Sequence, residues 1–208
     1  METTLYCDDW LSAGEWEGSE GASALGADQK ELILSGGSLT LRLEALFGSK
    51  VEVEMKRRRT STLSPEMAAY LEEEVNSPSM EREVWLTVEG KRLVYAHTVI
   101  PLECIERGLV DVLTSGEEPL GRVLADKNVP FMKERLGLGT VRCAEAATDL
   151  GVDVQTSFFA RRQLLFNRNK TDVWVIKAAV TELFSPGLVS AIHLSPPPPP
   201  PAGSTRAR

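Results

Sequence analysis

Alternating apolar and polar residues predict two β-hairpins. Residues 81–89 (EREVWLTVE) and 91–100 (KRLVYAHTVI) are β-rich runs that meet at Glu89-Gly90. Glycine adopts positive φ at little cost, so these two residues suit a tight hairpin turn. Residues 157–167 and 172–184 form a second such pair around Arg168-Asn169-Lys170, and we expect a second hairpin there.

Helical spacing of apolar residues predicts helices before and between the hairpins, at about 28–34, 38–47, 102–114 and 119–127. Ser38 is a suitable N-cap for one of them, and Ser64-Pro65 opens a further short helix with a cap followed by a proline. Hairpins with helices gathered between them predict a single α+β domain built on an antiparallel sheet.

Composition divides the chain into three parts. The first 37 residues hold eight acidic residues and one basic residue, whereas the rest is balanced within a total charge of −7. We expect residues 1–27 to be an acidic, mostly mobile extension, 28–190 the domain, and 191–208, with six consecutive prolines, a disordered tail. A neutral body argues against a nucleic-acid partner and makes a monomer the default expectation.

Several classes of protein are poorly supported. Three scattered cysteines and two histidines offer no zinc constellation, and no phosphate-binding glycine motif or nucleophile elbow is present. We therefore expect no metal and no nucleotide cofactor. The chain lacks a secretory signal and a long apolar span, so we expect a cytoplasmic protein with free thiols and no membrane span.

Three charged residues fall on apolar strand faces. Residues two apart share a face of a strand. Arg82 therefore lies on the same face as Val84, Leu86 and Val88, and Glu182 on the same face as Ile176, Ala178 and Val180. In the same way, Arg162 shares a face with Phe158, Ala160 and Leu164. An unpaired buried charge costs several kcal/mol, so such groups need partners or a polar cavity. Two interpretations stay open: a buried Arg82–Glu182 ion pair, or a pocket for an anionic ligand held by arginine.

Six short segments in order resemble the chorismate pyruvate-lyase family, from about residue 28 to 186. They are Gly37-Ser38-Leu39-Thr40, Arg82-Glu83-Val84, Thr98-Val99-Ile100-Pro101, Pro119-Leu120-Gly121-Arg122, Arg161-Arg162, and Thr181-Glu182-Leu183-Phe184 followed by Pro186. The resemblance implies one α+β domain whose internal cavity is closed by helical flaps. It also implies conversion of chorismate to 4-hydroxybenzoate and pyruvate without metal or cofactor. The product could feed the biosynthesis of a quinone such as ubiquinone or of a phenolic metabolite, and both pathways stay open.

The resemblance also implies roles for individual residues. Arg82 matches the arginine that clamps the aromatic carboxylate, and Glu182 matches the carboxylate at the 4-hydroxyl; these two are the expected catalytic pair. Leu120 matches a residue whose backbone contacts the ligand, with Gly121 beside it, and Leu39 occupies a flap position.

One departure concerns the second carboxylate of chorismate. A branch of the family has arginine where this chain has His97, so we consider His97 and Arg162 as candidate ligands of the enolpyruvyl carboxylate. For His97, the role of an ordinary half-buried histidine is the favoured interpretation.

Two other functions remain open. Effector domains of some transcription regulators share this fold and bind small acids without turnover, although they follow a DNA-binding module for which the acidic lead of 37 residues leaves no room. A lyase acting on a related chorismate-derived substrate is the other alternative. We expect the chorismate lyase.

Overall fold

A seven-stranded antiparallel sheet organises the chain, with the order β1-β5-β6-β7-β4-β3-β2. The computed structural model describes residues 5–7, 9–115 and 118–192. The strands are β1 (Tyr6–Cys7), β2 (Glu52–Thr62), β3 (Pro78–Val88), β4 (Lys91–Pro101), β5 (Met132–Arg142), β6 (Ser157–Arg168) and β7 (Trp174–Phe184).

Short helices connect and cover these strands. They are α1 (Ala13–Glu17), α2 (Glu20–Ser23), α3 (Ala27–Leu34), α4 (Leu39–Phe47), α5 (Pro65–Leu71), α6 (Arg107–Ser115), α7 (Leu120–Asp126), α8 (Ala144–Leu150) and α9 (Pro186–Ile192), with a 3-10 turn at Leu102–Cys104. The Ser38 and Ser64 side chains accept hydrogen bonds from Leu41 N and Met67 N, so both predicted N-caps are confirmed.

Both predicted hairpins are confirmed. β3 and β4 join through Glu89 and Gly90, which have φ of 51° and 74°, as a turn with two left-handed residues requires. β6 and β7 form the second hairpin. The two hairpins then pair along β4 and β7, where Ala96 lies opposite Glu182. This pairing places β3 and β7 on either side of β4.

Helices cover both faces of the sheet. We call front the face that carries Arg82, Thr98, Val180 and Gln163, which form one cross-strand row. Two apolar clusters cover the front: one includes α3, α4 and α9, and the other includes the 3-10 turn, α6 and α7. Helices α5 and α8 pack on the opposite, back face. Because both faces are buried, the central strands are apolar on both sides.

The predicted helix at 102–114 is interrupted. Its start is the 3-10 turn, after which Ile105 bridges to Ile176 and Glu106 N donates to the Val175 carbonyl at 3.0 Å. Pairing with the start of β7 takes these two residues out of a helical conformation, and α6 begins only at Arg107.

The described N-terminal residues differ from the expected mobile extension. β1 pairs with β5, and Trp16 is 2% exposed within the front cluster that includes α3 and α4. The chain crosses β5 closely: a Cβ at Gly139 would lie 2.9 Å from the Asp9 carbonyl oxygen, and one at Gly137 would lie 3.2 Å from Trp10 Cβ. Glycine in this strand thus permits the close approach of a second backbone.

The far end of the chain is described only up to α9, whose Ile192 is buried. The proline-rich segment lies outside the described residues, and the boundary proposed at 190 stays a prediction. No helix in the described part of the chain is long and apolar enough to cross a membrane.

Candidate active site

A cavity lies on the front face of the sheet, between the two apolar clusters that cover it. Its empty volume is about 660 Å³, counted out through the mouth that opens to solvent. Its floor comes from β3, β4, β7, β6 and β5, and its cover comes from the start of α4 and the start of α7. The lining is mostly apolar, and its polar members are Ser38, Thr40, Arg82, Thr98, Lys133, Gln163 and Glu182.

Arg82 reaches the cavity from β3, on the face shared with Val84 and Leu86 as predicted. It is 4% exposed, and its Nη2 donates to the Glu118 carbonyl at 2.7 Å, just before α7. Burial lowers the pKa of Arg82 to about 10, and the nearby charge of Arg58 acts in the same direction. A bound carboxylate would offset both effects.

Glu182 lines the same cavity from β7, and its partner is Arg161. Arg161 Nε donates to Glu182 Oε2 at 2.5 Å, and its Nη1 donates to the carbonyls of Ile33 and Ser35 at 3.1 and 2.7 Å. Arg161 is fully buried. It therefore fixes Glu182 to the carboxyl end of α3, where carbonyl groups favour a cation.

Of the two interpretations that the sequence left open, a buried Arg82–Glu182 ion pair differs from this arrangement. The two residues lie on strands separated by β4, roughly 10 Å apart across the sheet at the usual strand spacing. In the structure Glu182 pairs with Arg161, and Arg82 donates to the Glu118 carbonyl. The two functional groups thus face one cavity from different strands.

Two helix starts cover the cavity and correspond to the expected flaps. Leu39 lies at the start of α4, and Leu120 and Gly121 lie at the start of α7; all three line the cavity. A Cβ at Gly121 would lie 3.9 Å from Ser38 Oγ, so the flaps meet there. Arg122 also pairs with Glu44, which ties α7 to α4.

Arg162 and His97 were considered as ligands of the enolpyruvyl carboxylate, and the structure places both away from the cavity; for His97 the favoured interpretation was already an ordinary half-buried histidine. Both belong to the row Glu83, His97, Thr181 and Arg162, which faces the back of the sheet. Arg162 donates to Glu66 at 2.6 Å and lies 4.2 Å from the centre of the Tyr70 ring. His97 lies beside Glu81. Neither residue lines the cavity.

Strand parity explains the error for Arg162. It does share a face with Phe158, Ala160 and Leu164, as predicted, but that face is the back, where these residues pack in apolar clusters. Arg161, one position earlier, occupies the front row with Ala96 and Glu182.

Two polar cavity residues, Gln163 and Lys133, lie outside the six short segments that the sequence analysis singled out. Gln163 follows from the front parity of β6 once Arg161 is placed. Lys133 comes from β5, a strand that the sequence did not reveal, and its Nζ donates to the Gly37 carbonyl at 2.8 Å. Burial lowers the pKa of Lys133, while Glu182 acts to raise it and Arg161 to lower it.

One group of side chains on the back face could hold a metal ion. Ligand atoms of Glu81, Glu83 and His97 lie within 4.8 Å of one another. Arg59 already donates to Glu81 at 2.6 Å, and the Tyr95 hydroxyl to Glu83 at 2.6 Å. These contacts satisfy much of the carboxylate charge, and the group lies across the sheet from the cavity.

Comparison with known proteins decides the family. The model of the chorismate pyruvate-lyase Rv2949c-like family matches residues 33–192, which include both flaps and all the cavity strands. The chain belongs to this family.

Individual relatives agree with the family assignment. A probable chorismate pyruvate-lyase of Shewanella sp. (strain ANA-3) is 28% identical over 169 residues, covering 78% of this chain and 82% of the relative. One from Shewanella amazonensis is 30% identical over 165 residues, covering 77% and 80%.

Among solved structures, the effector domain of PhnF from Mycobacterium smegmatis has a similar fold. Its TM-score is 0.56 at 20% identity, covering 74% of this chain and 91% of that domain. At this identity the likeness establishes the fold alone.

Proposed function

We propose that this chain is a chorismate lyase that converts chorismate to 4-hydroxybenzoate and pyruvate. The observation that carries the proposal is the placement of Arg82 and Glu182, from two different hairpins, in one largely apolar cavity. The family membership and the names of the relatives support the same reaction. As the family resemblance implies, the proposed reaction needs no metal or cofactor.

Arg82 would bind the ring carboxylate. A guanidinium group can hold a carboxylate in two-point contact, and the burial of Arg82 against a largely apolar lining strengthens that contact. Leu120 and Gly121 lie at the start of the helix that follows the Glu118 carbonyl, to which Arg82 donates. The flap over the carboxylate and the arginine are therefore held together.

Glu182 would orient the 4-hydroxyl at the opposite end of the ring. Arg161 fixes its carboxylate, so the hydroxyl can donate to an oxygen whose position is set in advance. The apolar residues between Arg82 and Glu182 would contact the faces and edges of the ring. Binding the ring at both ends is the main contribution that we assign to these residues.

The reaction breaks the bond between ring carbon 3 and the ether oxygen. The hydrogen on carbon 4 is lost, its bonding electrons form the new ring double bond, and the ring becomes aromatic. The enolpyruvyl group leaves with the ether oxygen and gains the proton, which makes pyruvate. Aromatisation supplies the driving force, so holding the substrate and excluding water are the protein's main tasks.

The test is incubation of the purified full chain with chorismate. We expect 4-hydroxybenzoate, identified by mass and chromatographic retention, and an equal amount of pyruvate, measured with lactate dehydrogenase. A different hydroxybenzoate isomer would indicate a lyase with another outcome. Tight binding of 4-hydroxybenzoate with no turnover would indicate a non-catalytic binder, as in an effector domain. Either result contradicts the proposal.

We also propose a cytoplasmic location and a product used for quinone or phenolic metabolites. Deletion of the gene in its host should then create a requirement for added 4-hydroxybenzoate, and growth or metabolite levels unaffected by the deletion would contradict this part.

A further inference from the structure

We propose that Lys133 binds the second carboxylate of the substrate, the one on the enolpyruvyl side chain. This inference rests on the proposed function and fills the role for which His97 and Arg162 were considered. Both of those residues face the back of the sheet, whereas Lys133 lines the cavity.

The order of the charged residues across the sheet matches the substrate. Arg82 lies on β3, Glu182 on β7 and Lys133 on β5, and the strand order places β7 between the other two. In chorismate the enolpyruvyl ether is on the ring carbon next to the one with the hydroxyl. If Arg82 binds the ring carboxylate and Glu182 the hydroxyl, the second carboxylate lies at the end of the ring away from Arg82. Lys133 lines the cavity beyond Glu182, on that same side.

Lys133 has the donors for this role. Its ammonium carries three N–H groups, and the Gly37 carbonyl accepts from Nζ at 2.8 Å. The remaining N–H groups can point at a ligand while the lysine keeps its contact with the segment before α4. Ligand binding and flap position would thus share one side chain.

The charge of the cavity also favours a dianion. Arg82, Lys133 and Glu182 are the charged residues that line the cavity, and Arg161 is the ion-pair partner of Glu182. Together they carry three positive charges and one negative charge. The excess of two positive charges matches the two carboxylates of chorismate. Burial lowers the pKa of Lys133, so a carboxylate at Nζ would restore the environment that an ammonium requires.

The experiment compares a ligand with two carboxylates and a ligand with one. In Lys133→Met we expect KM for chorismate to rise roughly 10- to 100-fold, the loss expected for a charge-assisted hydrogen bond. The dissociation constant for 4-hydroxybenzoate, measured by calorimetry, should be unchanged because this product lacks the enolpyruvyl group. Lys133→Arg should recover much of the chorismate affinity, and the exposed Lys170→Met serves as the matched control.

The two ligands separate binding from a structural role. If Lys133→Met weakens chorismate and 4-hydroxybenzoate equally, the lysine only holds the Gly37 segment, and the assignment is wrong. An unchanged KM for chorismate would also overturn it. The 4-hydroxybenzoate titration further shows whether the variant is folded.

The same titrations distinguish this inference from the proposed function. If the unmodified chain binds chorismate without turnover, the proposed function fails, and the ratio of chorismate to 4-hydroxybenzoate affinity still tests Lys133. If it binds neither ligand, both proposals fail.

Discussion

Replacing Arg82 with methionine should weaken ligand binding without weakening the ligand-free fold. Arg82 is 4% exposed, and burial lowers its pKa to about 10. A pKa change of this size means that the surroundings of Arg82 destabilise its charged form by about 3 kcal/mol. Both the folded and the unfolded guanidinium remain charged near neutral pH, so this cost is present throughout the physiological range. It is relieved only as the pH rises through the folded pKa.

The loss in binding can be estimated from the contacts. A two-point contact between a guanidinium and a carboxylate should contribute about 3 to 4 kcal/mol in this enclosed site, or roughly 10²- to 10³-fold in affinity. The variant also loses the hydrogen bond to the Glu118 carbonyl, worth about 1 kcal/mol. Methionine fills similar space without a charge to desolvate, so the free energy of unfolding should stay level or rise.

Two measurements check this reasoning. Calorimetry gives the dissociation constant for 4-hydroxybenzoate, and urea unfolding gives the stability of the ligand-free protein, each compared with the exposed control Arg107→Met. If Arg82→Met binds 4-hydroxybenzoate as well as the unmodified protein, the carboxylate assignment is wrong. If the variant loses several kcal/mol of stability while binding is unchanged, Arg82 is a structural residue.

Three further predictions follow from the two faces of the sheet. Glu182→Gln should lower kcat for chorismate by about 100-fold, because the 4-hydroxyl loses its oriented acceptor. The same variant should lower the free energy of unfolding by about 3 kcal/mol, because the buried charge of Arg161 is left without its carboxylate partner. An unchanged kcat in steady-state assays would show that Glu182 has no catalytic role. Arg162→Met should leave kcat/KM unchanged while lowering the melting temperature, since its contacts are on the back face; a large rise in KM would contradict the face assignment. Burial acts to raise the pKa of Glu81, but the neighbouring His97 and the hydrogen bonds from Arg59 outweigh it and lower the pKa to about 2. Glu81 should therefore stabilise the fold above pH 4.5, by about 1 to 2 kcal/mol once solvent screening of this partly exposed carboxylate is allowed for, and this contribution should be lost as the pH falls toward 2. Urea unfolding at pH 7 and pH 3 should show a smaller difference in Glu81→Gln than in the unmodified protein, and equal differences would contradict the prediction.

Local patterns were enough to predict the hairpins and several helices. A turn of Glu89 and Gly90 between two alternating runs needs only short-range information, and so does an N-cap such as Ser38. The same alternation placed Arg82 with Val84 and Leu86, and the structure confirms that grouping.

Alternation could not tell which face of a strand lines the cavity. In β6 both parities are apolar because helices cover both faces of the sheet, so Arg161 and Arg162 were equally compatible with the pattern. Only the pairing of β6 with β7, which aligns Arg161 with Glu182, settles the choice. His97 was considered for another reason, because a branch of the family has arginine at its position, and the pairing of β3 with β4 places it on the back face.

The strand that carries Lys133 was missed for a different reason. β5 contains Gly137 and Gly139, which weaken the sequence pattern of a strand. Only the tertiary structure explains these glycines, because residues 9 and 10 cross the strand so closely that a side chain would collide with them. The N-terminal segment was itself taken as mobile because its short helices are too brief to give a period. Both segments were therefore missed for one reason, because each is explained by the contact between them, and they are far apart in the chain.

The amino-acid sequence by itself determined the hairpins, the capped helices, the family resemblance and the presence of charged residues on apolar strand faces. Each of these depends on residues that are close in the chain. The tertiary structure decided which charges meet: Glu182 with Arg161 rather than Arg82, and Lys133 in the cavity in place of Arg162. The reason is physical, because strand register and the choice of covered face are set by packing between segments far apart in sequence, and no local pattern contains that information.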